Sequence, residues 1–273
     1  MSEIIKTACV QLNAGPDIAG NISKVEELIR QAASAGAQLI ATPENTCHIS
    51  FPFTKRLASA KPQDEHETLQ NIQKLAAELG VWILIGSLGI KLEKRTLANR
   101  TFLISDKGAI AATYDKIHLF DVDLPNGERY RESAIIQPGN KAVVVDCLGA
   151  KIGFSICYDI RFATLYRALA HKGAQILTVP AAFSMPTGEA HWETLLRARA
   201  IETGSFVLAP AQVGEHEGGR QTWGHSMIIN PWGEVLAEIE TKTGIITADL
   251  NMGEVKRARA AIPALQHDRE FTI

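Results

Sequence analysis

Cys157, Glu44 and Lys116 are the residues of this chain whose types and settings could perform covalent chemistry together. Cys157 closes the apolar run Lys151-Ile152-Gly153-Phe154-Ser155-Ile156 and precedes Tyr158-Asp159-Ile160-Arg161-Phe162 and an amphipathic stretch, which reads as a strand-to-helix elbow. Such an elbow projects a side chain from the sheet edge, where the N–H groups of a helix N-terminus lower a thiol pKa and face developing negative charge. Glu44 falls just past a strand-like run, behind Pro43, and Lys116 falls in or at the end of another, Tyr114-Asp115-Lys116-Ile117-His118. Three strand ends on one rim would present a carboxylate base, an ammonium and a thiol nucleophile. The same residues also fit a structure without chemistry: a small buried cysteine and two solvated charges. Spacing leaves both readings open.

The elements that must position these groups can be read from periodicity. Residues 4–12, 37–41 and 81–86 read as strands. Residues 23–35 read as a helix with Ser23 and Glu26 as a capping box, and residues 66–79 as a second helix with Leu69, Ile72, Leu75 and Ala76 on one face. From 97 to 120 and from 141 to 155 the pattern changes to short strands joined by turns at 106–108 and 148–150. Helices over 162–170 and 190–202 then alternate with strands over 175–179 and 205–212. Residues 223–239 read as a hairpin whose Asn230-Pro231-Trp232-Gly233 suits a type I turn, followed by a strand over 245–250 and a helix over 252–261. Helices interleaved with a large mixed sheet system point to an α/β layered sandwich, and the absence of a linker-like tract to one domain over 1–273.

Composition narrows the function. With 273 residues, 46% of them hydrophobic, the chain can bury a full core. Lys and Arg total 28 against 30 Asp and Glu, a net charge of -2 without a run of one sign, which argues against nucleic acid as a partner. No apolar stretch nears the roughly 20 residues of a membrane span, and Met1-Ser2-Glu3 opens no secretory signal, so a cytoplasmic setting is expected. Cys9, Cys47, Cys147 and Cys157 lack CxxC spacing and read as reduced thiols, neither disulfide nor zinc site. His48, His66, His171 and His216 have no metal-ligand spacing, and neither a Walker A sequence nor a GxGxxG follows a strand.

Four blocks together resemble the signatures of the nitrilase, or carbon-nitrogen hydrolase, superfamily: Pro43-Glu44-Asn45; Tyr114-Asp115-Lys116-Ile117-His118-Leu119; Gly153 through Cys157 to Phe162; and Gly224-His225 through Pro231-Trp232-Gly233. The resemblance runs end to end. It implies a four-layer α-β-β-α sandwich that forms a homodimer or higher homo-oligomer through helices including the one after the nucleophile. It implies a catalytic triad of Glu44, Lys116 and Cys157, with Glu132, in Arg131-Glu132-Ser133, supporting the lysine. No metal or organic cofactor is implied. Lys116 and the helix N-terminus would favour the thiolate, Glu44 would take and return the proton, and Lys116 with the Tyr158 N–H would hold the oxyanion.

Within the superfamily, Tyr158-Asp159-Ile160-Arg161-Phe162 is similar to the ω-amidase and deaminated glutathione amidase branches, so a small-molecule amide is expected over a nitrile. Arg161, Phe183 and Thr187 match substrate-pocket positions there, Arg161 against a carboxylate. Internal pairing of Arg161, core packing of Phe183 and helix capping by Thr187 are the plain alternatives. The blocks at 191–203, 211–214 and 266–269 lean toward deaminated glutathione, with 2-oxoglutaramate as the smaller alternative. The rivals are an N-carbamoyl amidohydrolase or nitrilase of the same superfamily, a papain-like Cys-His hydrolase using His118 or His225, and a non-catalytic binding protein.

Overall fold

The computed structural model describes residues 4–51, 54–92, 96–124 and 127–272. Strands β1 (Ile4–Gln11), β2 (Leu39–Ala41), β3 (Trp82–Lys91), β4 (Leu97–Ile104) and β5 (Ile110–Asp115) belong to the first half of the chain. With them come helices α1 (Ile18–Ser34), α2 (Thr54–Ser59) and α3 (Glu67–Leu79). Strands β6 (Asp121–Asp123) and β7 (Arg129–Arg131) form a small hairpin, and β8 (Val144–Cys147) and β9 (Ala150–Phe154) a larger one. Next are α4 (Ala163–His171), β10 (Ile176–Thr178), α5 (Met185–Thr203) and β11 (Phe206–Ala209). The hairpin β12 (Val213–Glu215) and β13 (Gln221–Trp223), then β14 (Ser226–Ile229), β15 (Val235–Ile239), β16 (Gly244–Asn251) and α6 (Met252–Ala261), complete the order.

Two six-stranded sheets result, in the orders β16-β1-β2-β3-β4-β5 and β15-β14-β11-β10-β9-β8. The first is buried on both faces, and the pleat sorts its side chains. Ala8, Val10, Ile40, Ile83, Ile85, Phe102 and Ile104 pack against Val25, Ile29 and Ala32 of α1 and Leu69, Ile72 and Leu75 of α3. Their neighbours Ile5, Cys9, Leu39, Ala41, Leu84 and Leu103 face the opposite way, into a core shared with the second sheet and with Leu165 and Leu169 of α4 and Trp192 and Leu196 of α5. Helix, sheet, sheet and helix thus stack as the expected α-β-β-α sandwich.

Several boundaries differ from the sequence reading. Helix α1 begins at Ile18, and its cap is Asp17, whose carboxylate accepts from the Gly20 N–H. Ser23 lies inside the helix and donates to the Ala19 carbonyl, so the expected capping box does not form. Helix α5 starts at Met185, five residues before expectation, because Pro186 sits in the first turn where its missing N–H costs nothing. The type I turn at 230–233 holds, its Gly233 N–H donating to the Asn230 carbonyl at 3.0 Å. The hairpins β6–β7 and β12–β13 have no counterpart in the sequence reading.

Strands β2 and β3, and β9, β10 and β11, run parallel within their sheets, so their carboxyl ends share an edge. Open α/β sheets bind ligands at such edges.

Candidate active site

Glu44 lies three residues beyond the end of β2, and two features fix it there. Gly86 of β3 packs so closely on the preceding turn that a Cβ there would lie 2.1 Å from the Thr42 carbonyl oxygen. The Gln212 side chain, just past β11, donates to the Glu44 and Asn45 carbonyls at 3.1 and 3.2 Å. Asn45 takes a left-handed φ of 55°, which asparagine tolerates better than most residues.

Lys116 follows β5 directly, and its backbone N–H donates to the Asn99 carbonyl at 3.0 Å. Only 2% exposed, its ammonium donates to Glu44 Oε1 at 2.9 Å and to Glu132 Oε2 and Oε1 at 2.8 and 3.1 Å. Asn99 on β4 bridges the same two acids, donating to Glu44 Oε1 at 2.9 Å and Glu132 Oε1 at 3.1 Å. Glu132 also accepts from the Phe120 N–H at 2.8 Å.

Cys157 arrives from the other sheet. Its φ of 49° is unusual for a residue with a Cβ, and a hydrogen bond of 2.9 Å from its N–H to the Pro180 carbonyl holds the elbow. The residues after it form a single 3-10 turn, Cys157–Arg161, and α4 begins only at Ala163. The thiol therefore faces one short turn rather than the end of a long helix. Glu44 accepts a hydrogen bond from Cys157, and its Oε2 accepts the Ala182 N–H at 2.9 Å.

The electrostatics follow from this contact set. Burial alone would raise the Glu44 carboxyl, but the Lys116 charge and hydrogen bond, with donors from Cys157 and Asn99, hold it down at about 2. Burial would lower Lys116, yet Glu132 and Glu44 keep its pKa above the ordinary lysine value. Burial and the Glu44 charge push the Cys157 thiol up, against the pull of Lys116. A second anion beside Glu44 is therefore disfavoured, against the expectation that Lys116 and a helix N-terminus favour the thiolate.

The cavity around the thiol, about 450 Å³ including its mouth, is lined by all four expected catalytic residues and by Tyr158, Phe183 and Thr187. The Tyr158 ring meets Phe120 and Phe162 edge-on at 5.2 and 5.5 Å, and Phe183 packs on Trp192 at 4.9 Å. Thr187 also shares a 2.7 Å hydrogen bond with Ser184 at the start of α5, so it both lines the pocket and supports the helix turn. Arg161 stands outside the lining. Its guanidinium lies 5.4 Å from the Phe183 ring and 5.8 Å from the Tyr158 ring, and it donates to His191 Nδ1 at 3.4 Å.

Sequence reasoning missed Asn99, Arg56, Arg220 and Tyr130, of which the last three also line the pocket. Asn99 left a signal, an amide in the middle of the apolar strand Leu97–Ile104 where asparagine is unfavourable. The arginines left none, because they sit on α2 and beside the β12–β13 hairpin, which the pattern does not reveal.

The Cys-His rival fails on geometry: no histidine lines the pocket among the described residues. His118 Nδ1 is bonded to Asp159 at 2.7 Å, and His225 Nδ1 to Glu238 at 2.6 Å. The four cysteines are free thiols, and no group of His, Cys, Asp and Glu among the described residues could hold a metal ion.

Comparison with known proteins shows the family. The carbon-nitrogen hydrolase family matches residues 6–260. A deaminated glutathione amidase of Yersinia enterocolitica is 40% identical over 265 residues, covering 96% of this chain and 92% of that protein. The NitFhit protein of C. elegans superposes with a TM-score of 0.91 at 32% identity, over 97% of this chain and 65% of that one. A mutant of the Nesterenkonia sp. AN1 amidase, with the acetamide moiety of fluoroacetamide covalently added at its active-site cysteine, superposes with a TM-score of 0.82 at 25% identity. That match covers 97% of this chain and 94% of the other. The chain belongs to the carbon-nitrogen hydrolase family.

Proposed function

We propose that Cys157 is the nucleophile, Glu44 the proton carrier and Lys116, gripped by Glu132, the fixed positive charge in hydrolysis of a small carboxylate-bearing amide. One observation carries this reading: Glu44 stands between the Cys157 thiol and the Lys116 ammonium, hydrogen-bonded to both.

The thiol proton passes to Glu44 as sulfur attacks the amide carbon, so the anion arises only when it is used. Charge builds on the carbonyl oxygen, which the Lys116 ammonium and the Tyr158 N–H stabilise, at about 3 kcal/mol per donor. Lys116 has three protons; sharing one between the two Glu132 oxygens and giving one to Glu44 frees the third for the oxyanion. Glu44 then protonates the departing nitrogen and the C–N bond breaks, leaving a thioester. Glu44 next takes a proton from water, whose oxygen attacks the thioester. Collapse releases the acid, and the proton returns to sulfur.

Deaminated glutathione is the first substrate to assay, given the Yersinia enterocolitica relative, with 2-oxoglutaramate as the smaller alternative. Aromatic Phe120, Tyr130, Tyr158 and Phe183 beside cationic Arg56 and Arg220 suit an amide with an anionic end. A homo-oligomer is also proposed. Among the described residues the large exposed apolar side chains include Ile201 at the end of α5, Trp232 in the β14–β15 turn and Ile262 after α6, and none lies on α4, the helix after the nucleophile. No helix among the described residues is long and apolar enough to cross a membrane, and a cytoplasmic setting stays part of the proposal.

Ammonia release from 2-oxoglutaramate and amide cleavage of deaminated glutathione, each run against Cys157→Ala, test the reading. The expected outcome is a kcat/KM of roughly 10⁴ M⁻¹s⁻¹ or more on one substrate, lost in a Cys157→Ala protein with an unchanged melting temperature. Turnover retained by the variant would remove Cys157 from the mechanism.

A further inference from the structure

The pocket lining carries three cations, Arg56, Lys116 and Arg220, against two carboxylates, Glu44 and Glu132. Lys116 is bound by both acids, and with a neutral thiol the cavity keeps a net positive charge that the proton-transfer steps do not use. Its source is the two arginines.

Arg220 is positioned but not consumed by the fold. It precedes β13, and its guanidinium lies 5.3 Å from the Tyr130 ring and 5.1 Å from the Phe51 ring. One Nη donates to the Ala182 carbonyl at 2.7 Å. Its Nε is buried without a hydrogen-bond partner among the described residues. Orphaned buried donors are uncommon in native proteins and call for an explanation. Among the described residues no acidic side chain forms an ion pair with Arg220, whereas the exposed arginines Arg30 and Arg131 each have one. Arg56, on α2, is buried, donates to Asn45 Oδ1, and lies within electrostatic reach of Arg220 as well as of Glu44 and Glu132. Two guanidinium groups sharing a low-dielectric cavity repel, and an anionic guest relieves that repulsion.

We propose that Arg220, reinforced by the charge of Arg56, binds a carboxylate of the substrate and makes this pocket select carboxylate-bearing amides over neutral ones. A guanidinium is suited to this, because its planar fork matches a carboxylate bidentately. The inference rests on the amidase reading and deepens it by naming Arg220 as a specificity residue inside the lining, where the family resemblance gave a carboxylate contact to Arg161 outside it.

The test has a kinetic and a binding arm. Glutaramate and glutaramide differ only in a carboxylate against a carboxamide. The wild-type enzyme is expected to prefer glutaramate. Arg220→Gln should raise KM for glutaramate tenfold to a hundredfold with kcat changed less than threefold, and should leave glutaramide nearly unaffected. Arg220→Lys, which keeps the charge without the fork, should recover part of the loss. Equal losses on both amides, or a wild-type preference for glutaramide, would overturn the proposal, as would a selective loss in Arg161→Gln with none in Arg220→Gln. The binding arm needs no turnover: calorimetric titration of 2-oxoglutarate into Cys157→Ala, with and without Arg220→Gln. At least tenfold weaker binding in the double variant supports the anion site, and equal binding refutes it. Failure of every amide to react, alongside selective dicarboxylate binding, would count against the amidase reading and leave the anion site standing.

Discussion

His118 and Asp159 are joined twice: Asp159 Oδ1 accepts the His118 backbone N–H at 2.9 Å and its Nδ1 at 2.7 Å. Asp159 Oδ2 accepts the Tyr114 hydroxyl at 2.7 Å and the Ile156 N–H at 2.9 Å. Tyr114 and His118 flank Lys116, while Ile156 and Asp159 flank Cys157. One buried carboxylate therefore sets the distance between the charge that stabilises and the sulfur that attacks. Stacking of His118 on Phe162, 3.5 Å between centroids and 7° from parallel, completes the tie.

That tie gives a first prediction. Asp159→Asn replaces an acceptor oxygen with a donor that must face other donors, so misplacement of Lys116 and Cys157 should lower kcat tenfold to a hundredfold while KM moves less than threefold. Tyr114→Phe removes two hydrogen bonds, the one donated to Asp159 and the one accepted from the Ile117 N–H, and should cost about 1–3 kcal/mol of stability, with a smaller loss of kcat. Steady-state kinetics with urea unfolding reads both, and a Tyr114→Phe variant worse in kcat than Asp159→Asn would contradict the ranking.

A second prediction separates thiol ionisation from catalysis. The Glu44 charge helps hold the Cys157 thiol above its ordinary value, and Lys116 opposes it. Glu44→Gln removes that charge and leaves Lys116, so the thiol should ionise at lower pH while turnover falls 10²–10⁴-fold for want of a base. Iodoacetamide alkylation of Cys157 against pH, followed by mass spectrometry, measures the shift. Burial also raises Cys9, Cys47 and Cys147, so the readout is taken on the peptide that carries Cys157. An alkylation midpoint unchanged or raised in Glu44→Gln would break the argument.

Stability against pH supplies the third. Glu44 is held at about 2, below its unfolded value, so its ion pair stabilises the fold above the ordinary glutamate pKa and is lost as pH falls from about 4.5 toward 2. Lys116 is raised, so its contribution is complete below the ordinary lysine pKa and wanes only as pH climbs beyond it. Urea midpoints should be level between pH 6 and 9 with respect to this pair and fall below pH 4.5, with a shallower fall in Glu44→Gln. An identical acid slope in both proteins would place the loss elsewhere.

Much of this is legible in the residues because β2 and β9 are buried and read as apolar runs with Glu44 and Cys157 just past them, whereas Lys116 follows the partly exposed edge strand β5, whose pattern marks it less sharply. The bounds of α6 agree with the sequence reading, since its first residue follows the Asn251 cap directly. What escapes is either short or contradictory. The strands β6, β7, β12 and β13 have three residues each, too few to establish a period. The elbow after Cys157 reads as leading straight into a helix N-terminus, but a 3-10 turn over Cys157–Arg161 intervenes before α4, which is why the sequence suggests a thiol that ionises more readily than its surroundings favour. Arg56 and Arg220 come from segments distant in sequence, and only the folded pocket brings them beside Glu44.

Strand β1 pairs with β2 on one side but with β16 on the other, Ile4 opposite Asn251. A ribosome adding about 5–20 residues each second needs roughly ten to fifty seconds to make the chain between those two strands. Throughout that interval one edge of β1 has no partner from its own chain, and an open apolar edge is a template for pairing with a neighbour. Gln11 waits almost as long, since its side chain docks on the carbonyls of Ile239, Glu240 and Lys242. The nascent protein is thus exposed to self-association until its closing strand arrives, and yield in the cell should depend on chaperone supply and synthesis rate more than the finished fold would suggest.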